Sequence, residues 1–216
     1  MDYPAQYSDQ SGKETTTIQN DGQTLRMVIR GVEFVGDDFD SLESTISRDS
    51  AQLASFTFRY GYLGECIIEC EIPIPVVVGA KVVPGSLHVH LDFRGSAPTR
   101  QEVLKLKLAY NEVSFESSGK SHGYFEYELW EIQAAMPKDT YIKACINCTF
   151  SNIGRYQGMF GALACYRGNK DRYFGMRDDR KPGSKWALLE IMTEAVQEVH
   201  LCPEFEPEMS SPEFSE

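Results

Sequence analysis

The chain has 216 residues, 42% of them hydrophobic and 25% charged, with a formal net charge of −11. That composition is too apolar for a disordered chain, and the length suits one large domain or two small ones. The acidic balance disfavours non-specific binding to nucleic acid and anionic membranes, and no apolar run approaches the roughly 20 residues that span a bilayer.

The acidity is concentrated at the ends. Residues 203–216 contribute −5, through Glu204, Glu206, Glu208, Glu213 and Glu216, with no Lys or Arg. Residues 1–22 contribute −3. Both stretches are polar and lack periodicity, so both are expected as disordered tails around a single globular, β-rich domain at 23–202. The opening Met1-Asp2-Tyr3-Pro4 lacks a basic and apolar leader, which points to the cytoplasm, where cysteines stay reduced.

Strand signals dominate the middle. Leu25, Met27 and Ile29 alternate with polar residues, as do Phe56, Phe58, Tyr60 and Tyr62. Asp40-Ser41-Leu42-Glu43 has capping-box spacing, so a short helix is expected there. Asp37 and Asp38 beside it lack the full calcium-loop pattern. Ile67–Val78 is rich in β-branched residues, with Pro73 and Pro75 pushing it towards a sheet edge or a bulge. Leu87, Val89, Leu91 and Phe93 form a period-two strand. Val103–Ala109 and Val113–Glu116 read as a hairpin around Tyr110-Asn111-Glu112. Phe125, Leu129, Ile132 and Met136 share one helical face. Tyr141–Phe150 and Met159–Arg167 read as strands, with glycines between them in a hairpin loop. Trp186–Thr193 reads as a second helix, turning into a strand over Ala195–Leu201. The expected class is mainly β (α+β): an antiparallel sandwich or twisted sheet with one or two packed helices.

Six cysteines sit in this chain. Cys145 and Cys148 form a C-x-x-C pair, followed by single cysteines at Cys165 and Cys202. Four thiolates complete a tetrahedral structural zinc site. On a straight strand Cys145 and Cys148 would face opposite ways, so chelation requires the backbone to turn between them, with Asn147 the residue to allow it. Two alternatives stay open: buried thiols acting as small hydrophobes, and a redox pair. Cys66 and Cys70, with even spacing, read as buried on one strand face.

His88, His90 and Asp92 alternate on one face of a strand. Two histidines and a carboxylate resemble a metal-binding triad, so they are the alternative metal site, with His122 or His200 as a further ligand; a solvated strand face is the plainer reading. Between Tyr166 and Trp186, seven basic residues interleave with aromatics, a pattern that can track single-stranded nucleic acid but more simply makes a salt-bridged loop.

The stretch Ala144-Cys145-Ile146-Asn147-Cys148-Thr149-Phe150-Ser151, with Gly158-Met159-Phe160-Gly161, Cys165-Tyr166-Arg167 and Leu201-Cys202-Pro203-Glu204-Phe205, resembles an uncharacterised bacterial protein family over roughly residues 55–205. The resemblance implies that Cys145, Cys148, Cys165 and Cys202 are a shared set. It implies nothing about mechanism. The functional expectation is a non-enzymatic bacterial interaction protein that binds a protein partner, a toxin in the immunity-type version, and is stabilised by zinc. The alternative is a metal-dependent enzyme using His88, His90 and Asp92.

Overall fold

The computed structural model describes residues 1–95, 102–121, 123–153, 159–177 and 184–208. Its first five strands form a meander: β1 (Asp2–Asp9), β2 (Gly12–Asn20), β3 (Leu25–Ile29), β4 (Val32–Gly36) and β5 (Glu43–Ser44). A two-stranded hairpin follows, β6 (Thr57–Arg59) and β7 (Tyr62–Gly64). A second meander holds β8 (Ile67–Val78), β9 (Lys81–Asp92), β10 (Val103–Tyr110) and β11 (Val113–Glu116). The two meanders join along β1 and β8, so the large sheet runs β11-β10-β9-β8-β1-β2-β3-β4-β5. Every pairing is antiparallel. The α+β, mainly antiparallel class expected from the strand signals is the one found.

The N-terminal segment is a correction. Residues 1–22 are not a disordered tail: they hold β1 and β2, and β1 lies at the centre of the sheet. Tyr3, Ala5 and Tyr7 alternate inward and are 0%, 6% and 0% exposed. Ala5 to Ser8 pair with Cys70 to Ile67 of β8. Arg30 closes the segment with hydrogen bonds of 2.8 and 2.6 Å to the Asp9 carboxylate, its guanidinium stacked over Tyr7 and Phe56. The apolar area on three alternating positions outweighs the polar average of the stretch.

β8 is central rather than an edge. Its prolines nonetheless fall where the pattern of residues allows them. β1 pairs with residues 67–70 and β12 (Thr140–Ile142) with residues 76–78, so Pro73 and Pro75 lie in the interval where only β9 pairs. A proline without an N–H costs no ladder bond there.

Helix α1 (Phe125–Ala135) buries the expected face, Phe125, Leu129 and Ile132, in the same core as the inward residues of the sheet. The capping-box helix at Asp40 does not form. Ser41 Oγ instead accepts the Asp38 amide at 2.9 Å and donates to Asp37, making a tight turn before β5. The expected long strand Tyr141–Phe150 is broken. After β12 the chain winds into a 3-10 turn at Cys145–Asn147. It then enters a small sheet of β13 (Ser151–Ile153), β14 (Leu163–Cys165) and β15 (Glu194–Val196). Part of the basic stretch is helical, α2 (Lys170–Met176), and α3 (Ser184–Leu189) follows. With Cys148, Phe150, Tyr166, Tyr173, Leu188 and Ile191 these segments form a second, smaller core.

Residues 203–208 are a second correction. They pack on this small core instead of trailing away. Phe205 stacks on Tyr141 with centroids 6.2 Å apart, Thr149 donates to the Glu206 carbonyl at 2.8 Å, and Glu208 donates to the Asn147 carbonyl at 2.9 Å. The acidic side chains meet the basic stretch: Lys170 pairs with Glu206 and Arg177 with Glu208. Opposite charges and one aromatic anchor hold what composition alone reads as a solvated tail. Residues 209–216 lie outside the described residues, as does the glycine loop over 154–158.

Candidate functional site

The structure puts His88, His90 and Asp92 on one face of β9 but does not gather them as a ligand set. Glu71 takes His88 Nδ1 at 2.9 Å, and Glu69 takes His90 Nδ1 at 3.1 Å. Asp92 is held by both the backbone and the guanidinium of Arg94. On β10, Lys105 and Lys107 stand opposite His90 and His88, and both pair with Glu116 of β11. The outer face of β8–β11 is therefore a ladder of carboxylate, imidazole, ammonium and carboxylate columns, which stabilises cross-strand pairing. His122 lies outside the described residues.

Backbone hydrogen bonds link the segments that carry Cys145, Cys148, Cys165 and Cys202. The 3-10 turn supplies the bend that a straight strand lacks, with Cys148 N–H donating to the Cys145 carbonyl at 3.1 Å. Asn147 manages this without the left-handed backbone expected of it. Cys145 N–H donates to the His200 carbonyl at 3.0 Å, which brings in the segment carrying Cys202. Cys165 pairs with Ser151, whose amide returns to the Cys148 carbonyl at 3.1 Å. Burial first, then the neighbouring Cys148, Cys202 and Cys165, push the Cys145 thiol up. Among the described residues, which include all four of these cysteines, no group of three or more His, Cys, Asp or Glu side chains is placed to hold a metal ion. Cys66 and Cys70 lie apart from this set and are buried, with the Cys66 thiol pushed up to about 12, mainly by burial.

A third site went unseen in the sequence. Asp38 (from the turn after β4), Glu126 (first turn of α1) and Glu198 (after β15) converge around Phe39, Phe125 and Phe160, whose rings pack in series, tilted and edge-to-face, with centroids 5.0 and 4.9 Å apart. The turn at 160–162 aims successive amides at two of these acids. Phe160 N–H donates to Asp38, and Gly161 and Ala162 donate to Glu198 at 2.7 and 2.9 Å. Gly161 takes a φ of +88°, which favours glycine. Glu126 and Glu198 are both 0% exposed, yet neither oxygen of Glu126 has a hydrogen-bond partner. Burial, then the nearby Glu198 charge, raises Glu126 to about 7. Burial raises Glu198 to about 6 against the pull of its amide donors, and burial with Asp40 raises Asp38 to about 8. No local motif marks this cluster, because its members are far apart in the chain.

The fourth feature is the tip of the β6–β7 hairpin. Arg59 pairs with Tyr62, so Tyr60-Gly61 is a two-residue turn, with φ of 53° and 101°. Such turns favour Asn-Gly. A bulky residue there carries a left-handed backbone at a cost of about 1–2 kcal/mol. Tyr60 is nevertheless 91% exposed and so recovers nothing by packing. Beside it lies a cleft of about 360 Å³ lined by Glu43, Arg48, Leu53, Phe58 and Gly61 among others.

A family profile matches residues 1–151, from β1 to the start of β13. The chain belongs to a family of unknown function, DUF6304. The matched region contains the hairpin tip, the cleft, Asp38, Glu126, Cys145 and Cys148. It starts well before residue 55 and ends before Cys165, Glu198 and Cys202, so it differs in extent from the resemblance expected over 55–205. Neither the curated proteins nor the solved structures offer a match. Among the described residues, no helix of this DUF6304 member is long and apolar enough to cross a membrane.

Proposed function

We propose that this DUF6304 member is a non-enzymatic protein-binding domain that engages its partner through the β6–β7 hairpin tip and the adjoining cleft. The observation that carries the reading is Tyr60. It is a large aromatic held in a costly backbone conformation, almost wholly exposed, next to an apolar-floored cleft. Exposed tyrosines supply large contact area at low entropic cost, and aromatic anchors dominate binding energy. Phe58 and Leu53 offer an apolar floor to a partner side chain, with Arg48 and Glu43 at the rim to fix its orientation.

Toxin neutralisation in a bacterial cytoplasm, in the manner of an immunity protein, is the specific form we propose. The net charge of −11 supports a basic partner, and six cysteines outside any disulfide support a reducing compartment. The test is a photo-crosslinking amino acid placed at residue 60 in cells of the source organism, with the exposed Val28 as a control position. One protein captured at residue 60 and not at residue 28 is the expected result. Equal capture at both positions, or none at 60, overturns the reading.

A further inference from the structure

We infer that the buried carboxyls of Asp38, Glu126 and Glu198 are a proton-operated latch, which holds the β6–β7 hairpin in place through the turn between β4 and β5. The inference deepens the binding reading, on which its bearing on a partner rests, because it concerns control of the same hairpin and cleft.

The cluster joins three segments distant in sequence around the turn at 160–162, whose amides reach Asp38 and Glu198. The charges that bear on it are carboxylates. Glu198 acts on Glu126, and Asp40 and Glu198 act on Asp38. Further out, Asp37 acts on Asp40, and Asp40 on Glu102. On α1, Glu128 is held by the Gly119 and Ser121 amides. The cation that joins this network is Arg59 of β6, which acts on Glu102 and pairs with Glu65. Glu126 itself is 0% exposed, and neither of its oxygens has a donor. Ionising it in the closed fold would put an uncompensated charge beside Glu198 in a medium of low dielectric. The closed fold therefore keeps its proton.

The turn carries this state to the hairpin. Asp38 accepts the Phe39 amide at 2.6 Å, and Ser41 Oγ bonds to Asp37 and to the Asp38 amide, so residues 37–41 form one braced turn. Phe39 and Leu42 are each 1% exposed. The Leu42 carbonyl accepts the Leu63 amide of β7 at 2.8 Å, and β5, next in the chain, supplies Glu43 and Ser44 to the cleft. Phe34, which pairs with Ser44, stacks on Phe58 of the cleft with centroids 6.3 Å apart. A carboxyl raised on folding binds its proton more tightly in the closed form than in the open one. Low pH therefore favours closure, and loss of the protons as pH rises through the folded values favours release of the turn and of the Leu63 tether. Glu126, raised from 4.5 to about 7, alone shifts that equilibrium about thirtyfold between about pH 5.5 and about pH 8.5.

The experiment is amide hydrogen exchange on the full chain under reducing conditions at about pH 5.5 and about pH 8.5, with the intrinsic pH dependence of exchange divided out. Low urea separates local opening from global unfolding, since only global unfolding exposes enough surface to respond. The expected result at the higher pH is local opening: residues 36–44 and the Leu63 amide exchange faster than the β8–β9 ladder and are indifferent to low urea. Protection there should fall about thirtyfold or more from the lower pH in wild type, and about thirtyfold less in Glu126→Gln. Because that variant can misfold, the wild-type urea comparison is a second readout. Exchange of the turn and of Leu63 in step with the β8–β9 ladder at both pH values overturns the inference. So does an equal pH response in Glu126→Gln, or a turn that opens while Leu63 stays protected. Exchange is read without a partner, so a failure to capture a protein at residue 60 overturns the binding reading and not the latch.

Discussion

Replacing Glu126 with Gln should make the protein more stable at alkaline pH. The Glu126 carboxyl is 0% exposed, has no hydrogen-bond partner and is raised by burial, then Glu198, from 4.5 to about 7. A carboxyl raised on folding binds its proton more tightly in the native state than in the unfolded one. Its contribution to stability is therefore fully present below the unfolded value and is lost as pH rises through the folded one. Each tenfold change in proton affinity is about 1.4 kcal/mol, so the whole effect is on the order of 3 kcal/mol. Between about pH 5.5 and about pH 8.5 the share lost is about 2 kcal/mol. Asp38 and Glu198 are raised too and push in the same direction. The assay is urea unfolding at both pH values under reducing conditions, comparing wild type with Glu126→Gln at equal m-values. Wild type should lose stability as pH rises, and the variant should lose about 2 kcal/mol less. An identical pH slope in the two proteins, or a wild type that gains stability towards pH 8.5, would refute the reasoning.

Glu198→Gln should be destabilising instead, because this carboxylate has hydrogen-bond donors. Gly161 and Ala162 donate to different Glu198 oxygens, and Gln puts an NH2 at one of them, so one buried N–H loses its partner at a cost of about 1–3 kcal/mol at about pH 5.5, read by the same unfolding curves; at about pH 8.5 the loss of the raised Glu198 carboxyl offsets part of that cost. Tyr7→Ala should cost about 3–5 kcal/mol, because the ring is 0% exposed at the centre of the sheet. A change within about 0.5 kcal/mol would mean that the segment is solvated after all.

What the sequence reveals about this fold depends on how far apart the cooperating residues lie. The β10–β11 hairpin is legible because its turn is local: Asn111 and Glu112 both take positive φ where a two-residue turn needs it. The inward face of α1 is legible from its 3.6-residue period. β1 and β2 are hidden by composition, since Asp, Gln, Ser and Thr dilute the Tyr3-Ala5-Tyr7 alternation, and the second partner of β1, the strand β8, lies some sixty residues away. Read for period instead of polarity, the alternation was there to find. The 3-10 turn at Cys145–Asn147 is not legible from the strand-forming residues around it, because it is set by contacts with residues some fifty positions away, through the Glu198 and His200 carbonyls. The carboxylate cluster could not be inferred, because Asp38, Glu126 and Glu198 each look like ordinary polar positions until three segments and three phenylalanines close around them.

The most direct test of the binding account is Tyr60→Asn, measured for stability and for affinity to the partner captured at residue 60. Asparagine fits the left-handed turn that tyrosine strains, and Tyr60 is 91% exposed, so little packing is lost. The account predicts a fold more stable by about 1 kcal/mol, with affinity weakened about thirtyfold, the ~2 kcal/mol of an aromatic anchor. A more stable variant that binds its partner as tightly as wild type would contradict the account.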